Sequence, residues 1–214
     1  MNMLKYLFDF LFPPSEIVKK IESLSAEDLL LHASSPIEDP GDSIISFFNY
    51  KDPLVQHALW ELKYRGNNYV AKLFADVLYD EIIEYIADQT LFQDFTEPII
   101  IPIPLSRARL RERGWNQTEM IADALRKKDR DRSFTVRKDT LIKKFHTSAQ
   151  TKLSKSQRMK NLKGCFEVIK PEDVKNRNII LLDDVTTTGS TIKEASSTLK
   201  KAGARKVVAF TIGH

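Results

Sequence analysis

Apolar positions along this chain follow two rhythms. Apolar runs at Ile99 to Ile103, Ile179 to Leu182 and Val207 to Ile212 read as strands, the second of them buried. Shorter runs at Ile44 to Tyr50, Phe134 to Arg137, Leu141-Ile142 and Phe166 to Ile169 are further strand candidates. Between them the spacing changes to three and four. That spacing predicts helices over Leu54 to Arg65, ended by Gly66, over Tyr69 to Ile86, over Asn116 to Lys128, and over Ile192 to Ala202, closed by Gly203. Near the start, Leu4, Leu7, Phe8 and Leu11 are helically spaced up to Pro13-Pro14. Ser15 can cap a second piece with Ile17, Val18, Ile21 and Leu24 on its apolar face, and Ser25 a third. Strands alternating with helices predict an α/β fold, a mostly parallel sheet flanked by helices, with a helical N-terminal segment. Pro36, Pro40, Gly41 and Pro53 mark a linker. The expected division is therefore 1–50 for the helical segment and linker, and 51–214 for the α/β domain.

Composition narrows the class. At 214 residues and 42% hydrophobic content the chain has enough material for one sizeable core. Its single cysteine, Cys165, excludes an internal disulfide and a cysteine-based zinc site, and reads as a small buried apolar residue. The apolar stretch Met3 to Phe12 is broken by Lys5 and Asp9 and is too short for a membrane span. A cytoplasmic location is the expectation. The net charge of +4 is uneven: Leu105 to Lys163 carries 18 Lys/Arg against 6 Asp/Glu, a net +12, leaving −8 elsewhere. A basic stretch of that kind suits an anionic ligand, either a pyrophosphate or a nucleic-acid backbone, and is otherwise a solvated surface.

The most informative stretch is Asp183-Asp184-Val185-Thr186-Thr187-Thr188-Gly189-Ser190-Thr191. It places two carboxylates at the end of a buried strand, then hydroxyls and one glycine, then a helix. In parallel sheets ligands bind at the carboxyl ends of strands. Carboxylates there accept hydrogen bonds from vicinal hydroxyls or help to hold a hard cation. The helix N-terminus offers unpaired N–H groups and a partial positive charge to a phosphate, and Gly189 lets the backbone approach it. The alternative is an ordinary loop whose helix is capped by Ser190 or Thr191. No lysine follows the glycine, so the loop is not a Walker P-loop. A second strand-end loop runs through Leu105, Ser106 and Arg107 into an arginine-rich turn, where Arg107, Arg109, Arg111 and Arg113 offer planar forks to phosphate. If that turn is extended the four cannot all face one point, so one or two are expected to be functional. Asn116, with Glu119 three residues on, reads as a capping-box variant. A third element, Lys143 to Gly164, is polar, basic and loop-like; Ser148, Gln150 and Lys152 lie where a flexible lid would exclude water. His146 within it is either a base or a solvated loop residue.

The acidic-hydroxyl stretch resembles the 5-phosphoribosyl-1-pyrophosphate (PRPP) motif of type I phosphoribosyltransferases. With Leu62-Lys63-Tyr64-Arg65-Gly66, Ile101-Pro102-Ile103-Pro104-Leu105, Arg109 to Gln117, and Gln150-Thr151-Lys152-Leu153-Ser154 with Arg158 and Asn161, it is similar to the ComF family of bacterial competence proteins, over about residues 50 to 214. The resemblance implies the type I phosphoribosyltransferase fold and a PRPP site. In it Asp183 and Asp184 hold the ribose hydroxyls, and Thr186, Thr187, Thr188, Gly189, Ser190 and Thr191 hold the 5′-phosphate. Leu105, Ser106 and Arg107 hold pyrophosphate with Mg²⁺, which is bound through PRPP rather than by a set of protein ligands, and Lys63 is a further phosphate contact. Transfer of phosphoribosyl to a nitrogen nucleophile is the implied reaction. The family's link to DNA uptake implies the alternative, an accessory protein for single-stranded DNA or a competence helicase partner, with the fold as scaffold or sensor. Relatives of the fold often dimerise, so a homodimer is a further expectation. Family members usually carry a four-cysteine zinc finger after a Phe-Pro-Pro stretch. Here Phe12-Pro13-Pro14 is followed by Ser15 and no cysteines, so helices stand where the finger would be.

Overall fold

A computed structural model describes residues 16–36, 43–144 and 163–214. Five parallel strands form one sheet, in the spatial order β1-β7-β6-β2-β3: β1 (Ile44–Phe48), β2 (Ile99–Pro102), β3 (Thr135–Val136), β6 (Asn178–Val185) and β7 (Lys206–Gly213). A separate antiparallel pair joins β4 (Leu141–Lys143) to β5 (Phe166–Val168). The described helices are α1 (Glu16–Ile21), α2 (Ala26–His32), α3 (Pro53–Trp60), α4 (Asn68–Gln93), α5 (Arg107–Arg113), α6 (Gln117–Lys128) and α7 (Ser190–Lys201).

The unbroken apolar runs follow from the sheet being covered on both sides. Alternate residues of the central strands go to opposite layers. Ile100, Ile180, Leu182, Val208 and Phe210 pack into the core shared with α1 to α4 and α6. Ile99, Ile101, Ile179, Leu181 and Ala209 pack beneath α7, against Ile192, Ala195 and Leu199. Cys165 is fully buried in that second layer.

Several elements depart from the pattern reading. The arginine-rich segment is not an extended turn. Ser106 caps it, its Oγ accepting from the Arg109 amide, and Gly114 closes it in the left-handed conformation, so it forms α5. The helix expected over Leu54 to Arg65 divides after Trp60; Glu61–Arg65 is wound as a π-helical turn that ends at Gly66. The following helix begins at Asn68 and runs on to Gln93. Asn116 caps α6 through the Thr118 amide, while Glu119 accepts from the Asn116 side-chain amide rather than from its backbone. Ser25 and Asp28 do form a full capping box on α2. Strand β1 lies before residue 50 and pairs with β7, so the sheet draws residues from both sides of the 50/51 division. Among the described residues no helix is long and apolar enough to cross a membrane.

Candidate active site

Strand β6 carries three residues beyond its apolar run, so both acids sit within its last turn of pairing, with Asp183 opposite Thr211 and Val185 opposite Gly213 of β7. Both are buried, at 8% and 6% exposure. Asp183 Oδ1 accepts from the Asp184 amide at 2.9 Å, and Asp184 Oδ1 accepts from the Val185 amide at 2.8 Å. The remaining Asp184 oxygen is held by two side chains from elsewhere: the Lys63 ammonium at 2.7 Å and the Gln117 amide at 3.2 Å. Arg113 in turn donates to the Gln117 carbonyl oxygen. A continuous polar chain thus links the π-turn, the end of β6 and the start of α6.

The two carboxylates titrate as a pair with opposite leanings. Burial, with the neighbouring Asp184 charge, holds the Asp183 carboxyl well above the usual carboxylate range. Burial pushes Asp184 the same way, but Lys63 and the hydrogen bonds outweigh it and hold Asp184 low. Lys63 is raised: its burial acts downward, and the Asp184 charge more than offsets this. One carboxylate is therefore committed to a cation and the other retains its proton more readily.

The π-turn has an evident local cause. Gly66 sits at φ +59°, and its missing side chain is where the Trp115 ring lies; a Cβ would come within 3.0 Å of that ring. The Trp115 indole N–H donates to the Leu62 carbonyl at 3.0 Å. The tightly fitted ring and this hydrogen bond pin the turn, and the turn aims Lys63 inward at Asp184.

After β6 the loop is tied back by Thr186, buried, whose amide donates to the Gly213 carbonyl. Thr187 is exposed. The Thr188 and Ser190 hydroxyls bond to each other at 2.7 Å. The cap position of α7 belongs to Gly189, at φ +67°, and no side chain caps the helix. The alternative reading, an ordinary loop whose helix is capped by Ser190 or Thr191, is therefore not what forms: the glycine's left-handed backbone starts the helix one residue earlier than a Ser190 cap would. The Ser190 amide makes a long 3.4 Å contact to the Thr188 hydroxyl, and the first turn of this twelve-residue helix opens at the hydroxyl loop, an arrangement that favours an anion. A Cβ on Gly189 would meet Ile44 Cδ1 of β1 at 3.2 Å.

A cleft of about 650 Å³ opens over Asp184, lined by Lys63, Tyr64, Arg109, Arg113, Trp115 and Gln117. Helix geometry sorts the arginines. Arg109 and Arg113, four apart, share one face of α5 and line the cleft. Arg107 is exposed and, with Leu105, lines a different hollow of about 390 Å³ that Lys143 and Lys144 also border. Ser106 is buried at the cap of α5, so its hydroxyl serves the helix. The lid residues Ser148, Gln150 and Lys152, with His146, lie outside the described residues. Sequence reasoning treated Gln117, Arg109 and Arg113 as a helix start and an undivided run; the Ser106-to-Gly114 bracket was the signal that this run is helical. It passed over Lys143, whose ammonium burial holds below its usual value and which lies 5.4 Å from the Phe166 ring centre. Among the described residues no group of three or more His, Cys, Asp or Glu gathers in metal-ligating fashion.

A strand-end acidic pair followed by an open hydroxyl loop, on a parallel sheet, is the arrangement of the phosphoribosyltransferase class, and residues 119–212 match the family model described as phosphoribosyl transferase domain. Over most of its length the chain is similar to bacterial competence and DNA utilization proteins. It is 29% identical over 173 residues to competence protein F of Haemophilus influenzae, covering 79% of this chain and 72% of that one. It is 29% identical over 168 residues to competence protein ComFC of Bacillus subtilis, covering 78% and 62%. The DNA utilization protein YhgH of Escherichia coli strain K12 matches at 27% over 168 residues, covering 78% and 70%. The matched region thus spans roughly two thirds of these relatives' length. Among solved structures, a Trypanosoma cruzi hypoxanthine phosphoribosyl transferase is 13% identical, covers 61% of this chain and 60% of its own, and has a TM-score of 0.38.

Proposed function

We propose that this chain binds PRPP together with Mg²⁺ and transfers the phosphoribosyl group to a nitrogen nucleophile. The observation that carries the reading is the buried pair Asp183 and Asp184 immediately before the uncapped start of α7. A vicinal diol and a phosphate six bonds or so apart would engage the two features together. Asp183 and Asp184 bind the ribose hydroxyls, and the Thr186 to Thr191 backbone and hydroxyls bind the 5′-phosphate. Lys63, Arg109 and Arg113 face the same cleft and offer their charge to the pyrophosphate.

PRPP's own oxygens, beside the Asp183 and Asp184 carboxylates, would offer Mg²⁺ the hard donors it takes, and when bound the ion would supply charge neutralisation on the leaving group. As the bond from the anomeric carbon to the pyrophosphate oxygen breaks, positive charge builds on the sugar. The fixed negative field of the acidic pair stabilises that charge. The nitrogen lone pair closes the new bond from the opposite face, and its proton leaves to solvent or to pyrophosphate. Before the ligand arrives, Lys63 neutralises the buried Asp184 charge. Titration calorimetry with PRPP, with and without Mg²⁺, tests the proposal. Absence of binding at millimolar PRPP, or unchanged binding after Asp183→Ala with Asp184→Ala, sinks it.

A second reading is a DNA-handling accessory role, with the PRPP fold as scaffold or sensor. It draws on the relatives' names, competence protein and DNA utilization protein, and on the +12 stretch from Leu105 to Lys163. Oligonucleotide affinity that falls steeply with salt favours it; a flat response between low and moderate salt counts against it.

A further inference from the structure

Three consecutive polar residues at the start of α6 are buried: Asn116, Gln117 and Thr118, at 3%, 5% and 1% exposure. The outer two fasten the helix to Ile103, the residue after β2. The Asn116 side-chain amide and the Thr118 hydroxyl both donate to the Ile103 carbonyl, at 3.1 and 2.9 Å. The Ile103 amide in turn donates to the Leu182 carbonyl of β6 at 2.8 Å, one residue before the acidic pair. The middle residue closes the circuit. Gln117 reaches across to β6 and donates to Asp184 Oδ2 at 3.2 Å.

The orientation of this amide is dictated from behind. A guanidinium only donates, and an ionised carboxylate only accepts. Arg113 donates to the Gln117 carbonyl oxygen, so the Gln117 NH2 group is the end that faces Asp184. Arg113 is itself braced, its guanidinium 5.5 Å from the Tyr64 ring centre. A buried amide with both ends satisfied in this way has one low-energy arrangement. Lys63 shares Asp184 Oδ2, but it keeps 21% side-chain exposure and lines the cleft where pyrophosphate is proposed to lie. Once that ligand is bound, the Lys63 charge is divided between two anions, whereas the Gln117 amide remains committed to one.

We propose that Gln117 is the positioning residue of the ribose site: backed by Arg113, it holds the Asp184 carboxylate in the orientation that meets the sugar hydroxyls while Lys63 turns to the pyrophosphate. The assignment rests on the PRPP reading above and links the two halves of that ligand. Arg113 faces the proposed pyrophosphate and, through Gln117, also braces the acid that holds the sugar. A ligand with the diol but no pyrophosphate therefore still depends on Arg113.

The test uses the full chain and titration calorimetry with PRPP, ribose 5-phosphate and inorganic pyrophosphate, each with Mg²⁺. Gln117→Met keeps the length of the side chain and removes both polar ends. It should weaken PRPP and ribose 5-phosphate about tenfold, the loss of one charge-assisted hydrogen bond, and leave pyrophosphate within about twofold of wild type. Arg113→Leu should weaken pyrophosphate directly, and ribose 5-phosphate by about three- to fivefold through Gln117. The double variant should bind ribose 5-phosphate no more weakly than Gln117→Met alone, because both changes cut the same chain. Gln117→Glu keeps the size and the Arg113 contact but turns a second carboxylate toward Asp184. It should lose at least as much ribose 5-phosphate affinity at neutral pH, and it carries the comparison if thermal melts show that Gln117→Met does not fold. A merely structural glutamine gives equal losses for the three probes, or additive losses in the double variant. Either result overturns the positioning role, as do Gln117 variants that bind ribose 5-phosphate as tightly as wild type, and in each case the PRPP reading stands. If PRPP itself fails to bind wild type, that reading falls and the positioning role falls with it.

Discussion

Two segments meet over Asp184, and they are built in opposite ways. The Asp183 to Ser190 loop is made by its own sequence: strand, acids, hydroxyls and a left-handed glycine in consecutive positions. The Glu61–Arg65 π-turn is made by a neighbour. Its sequence, Glu-Leu-Lys-Tyr-Arg, reads as plain helix, and it takes its form with Trp115, fifty residues on, hydrogen-bonded to Leu62 and filling the space over Gly66. A self-contained loop carries its signature in adjacent letters. A packed turn hides its signature in a ring and a glycine that are not adjacent at all.

The comparison can be broken by exchanging which segment is damaged. The largest effect is expected for Asp183→Ala with Asp184→Ala, which removes the loop's proposed ligands: PRPP affinity in calorimetry should fall by more than about a hundredfold, the loss of several charge-assisted hydrogen bonds. The single change Asp184→Ala also leaves Lys63 without its carboxylate. Lys63 keeps 21% side-chain exposure, so the cost should sit near the low end for a broken buried pair, about 2–3 kcal/mol in chemical denaturation. Equal stability of the variant and wild type would show that the ion pair contributes nothing.

The two glycines sharpen the contrast at the next scale. Gly66→Ala forces a left-handed alanine against the Trp115 ring at 3.0 Å, and should cost about 1–3 kcal/mol and weaken PRPP binding only as far as Lys63 moves. Gly189→Ala meets the flexible end of Ile44 and should cost about 1 kcal/mol, with the larger loss in PRPP affinity, at least tenfold. Thermal melts and calorimetry on both variants decide; if the two losses are ordered the same way in both assays, the division of labour is wrong. Trp115→Phe keeps an aromatic ring but loses the hydrogen bond to Leu62 and part of the indole packed over Gly66, for at least about 1 kcal/mol.

The smallest expected effect is on pH dependence. Asp183 has its native pKa raised above the unfolded value, so its contribution to stability is full below the unfolded pKa and is lost as pH rises through the native one. At neutral pH its ionisation therefore opposes folding, and Asp183→Asn should raise the melting temperature by roughly 2–4 °C for each kcal/mol relieved. Asp184 has the opposite sign: its contribution is present above the unfolded pKa and lost as pH falls through its lowered native value. Ligand hydroxyls and Mg²⁺ favour ionised carboxylates, so PRPP affinity should strengthen as pH rises through the Asp183 titration. Affinity that fails to strengthen at any pH above the ordinary carboxylate range would contradict this.

Much of this was legible in the letters. The buried strands were plain because a sheet covered on both faces needs unbroken apolar runs, and Ile179 to Leu182 has no polar break. The turn at Asp183 to Ser190 was legible, as strand end, left-handed glycine and helix start, because backbone chemistry there is local. Arg109 and Arg113 were less so: the segment's bracketing Ser106 and Gly114 are common loop residues, and only the helix makes positions four apart neighbours. Gln117 was read as a helix start because nothing near it announces a carboxylate sixty-seven positions away. Strand β1 was visible as an apolar stretch, but its partner is at the other end of the sequence.

That partnership has a consequence in time. Ser46 and Thr211 share a hydrogen bond across 165 positions, and among the described residues β1 has no other strand beside it. A chain emerging from the ribosome exposes β1 long before β7, so that edge waits for its mate while β2, β3 and β6 are made. Such distant pairing is also the slowest kind to form. Ile44 of that strand abuts Gly189, so the cradle is completed by the contact with the longest wait, and folding and competence to bind should arrive together.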